Sequence, residues 1–248
     1  MDFMPPVLLL VFSISLGMGL TFFVLLTRRQ PHFQRQAGFV VPTRKLKRLG
    51  TSFISSWMQR PECWLVIKSR SLLAVQSALG LHNVKPCRWA EGLAAEARLF
   101  ISPPVDGWVL AVGSGIPDPT EDADACFRFV TEISRKLGQV QLFKASRLLN
   151  HHAWVQARSG KIVRAYAWAG RTVWQQGLRT AAEKELKLKC YDYFSCPEPD
   201  FFSLSDPLSS NVEKVPLLAA RWSFDPGRLD ESILGRENGI AGELSRRF

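Results

Sequence analysis

Residues 139–178 read QVQLFKASRLLNHHAWVQARSGKIVRAYAWAGRTVWQQGL, and this stretch decides the fold. It predicts four strands, QVQLFKAS, HAWVQARS, KIVRAYAWA and RTVWQQGL, because β-branched and aromatic residues are frequent and short polar turns separate the runs. Ser159 and Gly160 fit a two-residue hairpin loop. Strands joined by turns this short must run antiparallel.

Helices are predicted where apolar residues recur at helical spacing between a capping residue and a glycine. The clearest one begins at Thr120 and ends at Gly138, with acids in its first turn and bases in its last. Thr180 and Glu183 form a T-x-x-E capping box, which predicts a short charged helix on the surface. Further strands are predicted in WLVIKS, RLFIS and GWVLAVGS, and further helices in SLLAVQSALG and over residues 89–97. The predicted fold class is α+β, an antiparallel sheet of about five to six strands packed with two to four helices.

An apolar stretch precedes this domain. Residues 7–26 read VLLLVFSISLGMGLTFFVLL, with no charged residue, and a helix of this length spans the roughly 30 Å hydrocarbon core of a bilayer. A cleaved signal peptide is the alternative, but it lacks support because no basic segment precedes the run and no A-x-A site follows it. The stretch therefore predicts one N-terminal transmembrane helix.

The positive charge of the chain is concentrated directly after that helix. Residues 28–60 carry eight basic residues and no acid, whereas residues 61–248 carry 24 basic and 21 acidic residues, a net charge of about +3. Because cations near a membrane span are retained on the cytoplasmic side, we expect a single-pass protein of the cell membrane, with its N-terminus outside and its globular domain in the cytoplasm. The cations are expected to meet anionic headgroups of the bilayer. They are Arg28, Arg29, Arg35, Arg44, Lys45, Lys47, Arg48 and Arg60.

These observations divide the chain into four parts. We expect a transmembrane anchor over residues 1–27, a basic juxtamembrane linker over 28–62, an α+β domain over 63–193 and a C-terminal extension over 194–248, partly ordered against the domain. The five cysteines are widely spaced without a CxxC pair, which favours reduced thiols in a cytoplasmic domain. Cys190 and Cys196 are the one pair worth testing for a disulfide or a metal, and the sequence predicts no cofactor.

The strand-rich stretch also supplies the candidate binding residues. Aromatic side chains alternate there with arginines, a pattern typical of surfaces that stack bases or bind peptides. The alternative is an ordinary sheet face that lies under helices, with arginine stems packed on aromatic rings. The candidates are Trp154, Arg164, Tyr166, Trp168 and Trp174.

Catalytic motifs are weaker. The loop with Gly113 and Gly115 lacks the lysine of a phosphate-binding loop and is followed by acids that would repel phosphate. The leading hypothesis is therefore a non-catalytic module that binds an unknown protein or peptide. A hydrolase or transferase is the alternative, with Asp106, His151, His152 and Asp225 as polar residues that could converge. A third hypothesis is binding of nucleic acid or anionic lipid through residues 28–60, in which nucleic acid is disfavoured by the nearly neutral domain.

Overall fold

A computed structural model describes residues 61–94, 98–195, 209–224, 229 and 238–244. The described residues form nine strands and five helices. The strands are β1 (Cys63–Lys68), β2 (Leu81–Cys87), β3 (Leu99–Ile101), β4 (Trp108–Gly113), β5 (Gln139–Ser146), β6 (His151–Arg158), β7 (Lys161–Trp168), β8 (Thr172–Gln176) and β9 (Gly239–Leu244). The helices are α1 (Leu72–Leu79), α2 (Trp89–Ala94), α3 (Ala123–Leu137), α4 (Ala181–Glu185) and α5 (Ser209–Trp222).

All nine strands belong to one antiparallel sheet in the order β2-β9-β3-β4-β1-β5-β6-β7-β8. Strands β5 to β8 follow one another as hairpins, as predicted from residues 139–178. Ser159 and Gly160 both have positive φ, 49° and 78°, which is the backbone of a two-residue turn whose twist matches that of the flanking strands. The α+β class and the antiparallel sheet are confirmed. The sheet is wider than the five to six strands predicted, and the described helices number five instead of two to four.

The C-terminal strand β9 lies inside the sheet, between β2 and β3. Gly239 allows this close approach, because a Cβ there would lie 2.4 Å from the carbonyl oxygen of Ile101. The sequence did not predict β2 or β9. In β2 the apolar alternation is absent, Asn83 has a positive φ of 51° within a bulge, and Pro86 has no N–H for the ladder.

One face of the sheet, here called the aliphatic face, lies under α1 and α3. Its core is formed by small and branched side chains, because alternate residues of each strand point to this side. Helix α3 buries Cys126, Val130 and Ile133 against it, as its apolar spacing predicted. The cap differs from the prediction: Asp122 accepts a hydrogen bond from the N–H of Ala125, whereas Thr120 is bonded to Asp118.

The other face, here called the aromatic face, lies under α2, α4 and α5. Large rings dominate its core, and the helices that cover it come mostly from the chain beyond residue 180. The ring-bearing residues of this core are Trp64, Trp89, Phe100, Phe143, Trp154, Tyr166, Trp168 and Phe224. The domain therefore has three layers, with the sheet in the middle and helices on both sides.

The predicted transmembrane helix over residues 7–26 lies outside the described residues. Among the residues that the structure describes, none of the helices has the length and apolar character needed to cross a bilayer. The basic residues of segment 28–60 also lie outside the described part, so the predicted contact with headgroups stays a prediction.

Candidate binding surface at the β8 edge

The five candidate binding residues are all buried, and they do not share one face. Four of them lie on the aromatic face, and each of these residues is at most 2% exposed: Trp154, Arg164, Tyr166 and Trp168. Trp174 pairs with Ala167 across the strands and therefore lies on the aliphatic face, under the edge of the Phe127 ring. A binding role for these residues stays a prediction, and in this fold a partner would have to displace helices to reach them.

The aromatic face is closed by the chain that follows β8. Tyr191 lies over Trp168, with the ring centroids 5.3 Å apart. Its N–H donates to the hydroxyl of Tyr166 at 3.2 Å, and its carbonyl accepts from the hydroxyl of Thr172 at 2.7 Å. The cover is thus bonded to the sheet through polar groups as well as packed on it.

A buried ion pair lies at the centre of this cover. Arg164 donates from Nε and Nη2 to Glu183 Oε1 at 2.9 and 2.8 Å, and Trp154 Nε1 donates to the same oxygen at 2.8 Å. The other carboxylate oxygen accepts from the N–H and the hydroxyl of Thr180, which completes the predicted capping box of α4. The prediction that this helix lies on the surface therefore fails at Glu183, whose side chain is fully buried.

The charge of Glu183 is stabilised inside the domain. Burial alone would raise its pKa, but the hydrogen bonds from Arg164 and Thr180 outweigh burial and hold the pKa below its ordinary value. Arg164 uses its remaining donors on the carbonyls of Ala165, Gln176 and Gly177 and on the sulfur of Cys190. This pair therefore joins β7, β8 and α4, which is a structural role.

A second ion pair lies at the end of the sheet where β1 begins. Lys144 Nζ is 2.6 Å from Asp118 Oδ2 and 3.4 Å from Glu62 Oε2. Burial would raise the pKa of Asp118, but hydrogen bonds from Lys144 and Thr120 hold it below its ordinary value. Burial also raises the pKa of the neighbouring Cys63 thiol to about 12, so this thiol is protonated at neutral pH.

Of the residues of the enzyme hypothesis that the structure describes, Asp106 and the two histidines lie at opposite ends of the sheet. His152 pairs with Trp168 and lies at the end of the sheet where β1 begins, whereas Asp106 precedes β4 at the end where β1 finishes. His152 is buried, and its Nε2 faces the side-chain amide of Asn211 at 3.1 Å. Asp225 lies outside the described residues. No three His, Cys, Asp or Glu side chains in the described part are placed to hold a metal ion.

Of the two cysteines singled out as a pair, Cys190 lies in the part of the chain that the structure describes. Burial raises the pKa of the Cys190 thiol to about 11, and its sulfur accepts from Arg164. Cys196 lies outside the described residues, so a disulfide or metal between the two stays a prediction.

The exposed apolar side chains that surround β8 offer a different surface. We define the β8 edge surface as Phe127, Leu178, Tyr193 and Phe194, all of which are exposed. Phe127 packs edge-on against Trp174, with centroids 6.4 Å apart, and Leu178 follows the end of β8. Tyr193 is fixed to the strand, because its hydroxyl accepts from the N–H of Gln175 at 2.8 Å and donates to the carbonyl of Gln175 at 3.1 Å. Phe194 is fully exposed beside it.

The two edges of the sheet are both protected against strand addition, by different means. At the β2 edge, exposed Lys85, Pro86 and a bulge interrupt the ladder. At the β8 edge, the Tyr193 hydroxyl occupies the outward N–H and carbonyl of Gln175. At this position a partner would therefore meet the Tyr193 side chain rather than free backbone groups. The aromatic run YDYF at residues 191–194 is the sequence signal that could have indicated this surface, but these residues were not among the predicted candidates.

Comparison with known proteins assigns no family. No protein-family model, no curated protein and no solved structure matches the chain.

Proposed function

We propose that this chain is a membrane-anchored, non-catalytic interaction module, whose domain lies on the cytoplasmic side and binds a protein or peptide through the β8 edge surface. The observation that carries the proposal is that, among the described residues, exposed aromatic side chains lie around one edge of the sheet. The buried charged groups are paired instead: Arg164 with Glu183, and Lys144 with the half-buried Asp118. Aromatic anchors contribute most to binding energy at protein interfaces.

The membrane part of the proposal is supported by the sequence. The uncharged stretch 7–26 is long enough to span a bilayer, and the eight cations that follow it favour a cytoplasmic domain. The raised thiol pKa values of Cys63 and Cys190 agree with cysteines that stay reduced. Residues 28–60 add attraction to anionic headgroups, which is the lipid-binding part of the third hypothesis.

The experiment compares two surface variants of the full chain in membranes. Leu178→Ser/Phe194→Ser removes exposed apolar groups from the β8 edge surface. Leu73→Ser/Leu217→Ser removes exposed leucines from α1 and α5 and is the matched control. Proximity labelling in intact cells, quantified by mass spectrometry, identifies the neighbours of each variant.

We expect the labelling of specific neighbours by the β8 variant to fall at least about tenfold, the factor that corresponds to about 1.4 kcal/mol. The control variant should label the same neighbours as the wild type. Equal neighbour sets for both variants and the wild type would contradict binding through this surface. Release of the wild-type chain from membranes by alkaline washing would contradict the anchor.

A further inference from the structure

The turn between β5 and β6 carries two leucines that contact no core. Leu148 is 90% exposed and Leu149 is 57% exposed, and they lie side by side in the four-residue connection 147–150. Turns of this kind are normally polar, and single exposed leucines are common, but an adjacent pair at the tip of a hairpin is an apolar projection.

The projection is held firmly. Ser146 and His151 close the hairpin as the last register pair, and the Ser146 hydroxyl donates to Glu62 Oε1 at 3.0 Å. Arg147 donates to Glu213 on α5 at 2.6 Å. The leucines are therefore displayed outward by a braced hairpin instead of folding back onto the domain.

The chain enters the domain beside this tip. Cys63, the first residue of β1, pairs with Lys144 near the end of β5, and the N–H of Ala145 donates to the carbonyl of Glu62 at 2.7 Å. Residues 28–60, which carry the eight cations, come just before Glu62 in the chain. This segment therefore joins the domain at the same end of the sheet as the leucine tip.

Charges around this end are unevenly divided. On the side of the aromatic face, Arg147 is paired with the exposed carboxylate of Glu213 on α5, so positive charge is added there by exposed Arg171 in the turn between β7 and β8. The acids Glu121, Asp122 and Asp124 lie on the other side, at the start of α3. An anionic membrane surface would repel these acids, so the tip would approach the membrane with its α5 side facing the bilayer.

We propose that Leu148 and Leu149 insert into the boundary between headgroups and acyl chains of the membrane that holds the anchor. The proposal rests on the proposed membrane anchor. A tether that joins the domain at this end raises the effective concentration of the tip at the bilayer, so that a contact too weak to bind free in solution is populated. Leucine side chains beside cations are the composition of interfacial anchors.

The test uses the full chain in vesicles of phosphatidylcholine and phosphatidylserine. A benzophenone amino acid is placed at position 148, and in a separate preparation at position 73. Leu73 is 74% exposed and lies in the first turn of α1, at the far end of β1 from the tip, so it is the matched control. The vesicles are first washed at alkaline pH, then irradiated, and adducts are identified by mass spectrometry.

Lipid adducts at position 148 are expected to exceed those at position 73 by at least about tenfold. Retention of the chain with equal lipid adducts at both positions would overturn the insertion and leave the anchor intact. Adducts of position 148 to a second copy of the chain would also overturn it, since the tip would then be a contact between copies. Release in the alkaline wash would overturn the anchor, and the insertion with it.

Discussion

The two faces of the sheet are buried by different means. On the aliphatic face, α3 and α1 cover apolar side chains such as Ile67, Val140 and Val155, and no ion pair among the described residues joins these helices to the sheet. A hydrogen bond from the N–H of Gly160 to the hydroxyl of Ser134 also joins α3 to the turn between β6 and β7. On the aromatic face, rings are covered by α2, α4, α5 and the segment that follows β8, and α4 is bonded to the sheet by the Arg164–Glu183 pair. Both faces exclude water, but the second one requires charges to be neutralised inside the domain.

This difference has a functional consequence. An aromatic face closed by a paired charge network is costly to open, because separation would leave a charge without its partner. In the part of the chain that the structure describes, the exposed phenyl and phenol rings lie at the β8 edge of the sheet, at Phe127, Tyr193 and Phe194. We therefore expect a partner to contact the β8 edge of the sheet and not one of its faces.

The largest effect is expected from breaking the buried pair. Arg164→Met would leave Glu183 buried without a cation, and we expect the free energy of unfolding to fall by about 3–5 kcal/mol. Arg147→Met breaks the exposed pair with Glu213 and should cost about 1 kcal/mol or less. Chemical denaturation of the detergent-solubilised chain measures both. Equal losses for the two variants would show that the buried pair does not secure the aromatic face.

The same pair predicts a dependence of stability on pH. The pKa of Glu183 is lowered in the folded state, so the folded state binds fewer protons than the unfolded state in the acid range. Stability should fall as the pH drops below the ordinary carboxyl pKa of 4.5, by at most about 1.4 kcal/mol per pH unit for this one group.

Glu183→Gln isolates that contribution, because Asp118 also has a lowered pKa and titrates in both proteins. The variant is expected to be less stable at neutral pH and to have a shallower acid slope. Parallel slopes for the variant and the wild type in denaturation series at several pH values would exclude Glu183 as the source.

A smaller effect is expected on the aliphatic face. Ile133→Val removes one methylene from the buried stripe of α3, and we expect a loss of about 0.5–1.5 kcal/mol without any change in the acid slope. Leu73→Ala, on the exposed side of α1, should change stability by about 0.5 kcal/mol or less. A pH-dependent loss for Ile133→Val would mean that the two faces are not independent.

Local patterns predicted much of this fold. Helix α3 and strands β5 to β8 follow from periodicity and turn chemistry that lie within a few residues of one another. Strands β2 and β9 could not be found in this way, because Leu81 pairs with Leu244 from the far end of the chain and neither strand alternates clearly. Their pairing depends on tertiary contacts.

None of the four residues of the β8 edge surface was among the binding residues predicted from the sequence, for a related reason. Alternation places Trp154 and Tyr166 on one face, but it does not say whether helices cover that face. Glu183 reads as part of a charged surface helix until Arg164, 19 residues earlier, is brought beside it. The aromatic residues at 191–194 carry no periodicity, so their place at the β8 edge depends on the hydroxyl contact between Tyr193 and Gln175.

Hydroxyl-radical footprinting of the full chain, in native membranes and after purification in detergent, tests the proposed binding surface most directly. We expect Trp154, Tyr166 and Trp168 to be protected in both preparations. Tyr193 and Phe194 should be modified in the purified chain and protected in membranes, where the partner is present. Rapid modification of the three aromatic-face residues in the purified chain, with Tyr193 and Phe194 equally reactive in both preparations, would contradict the account.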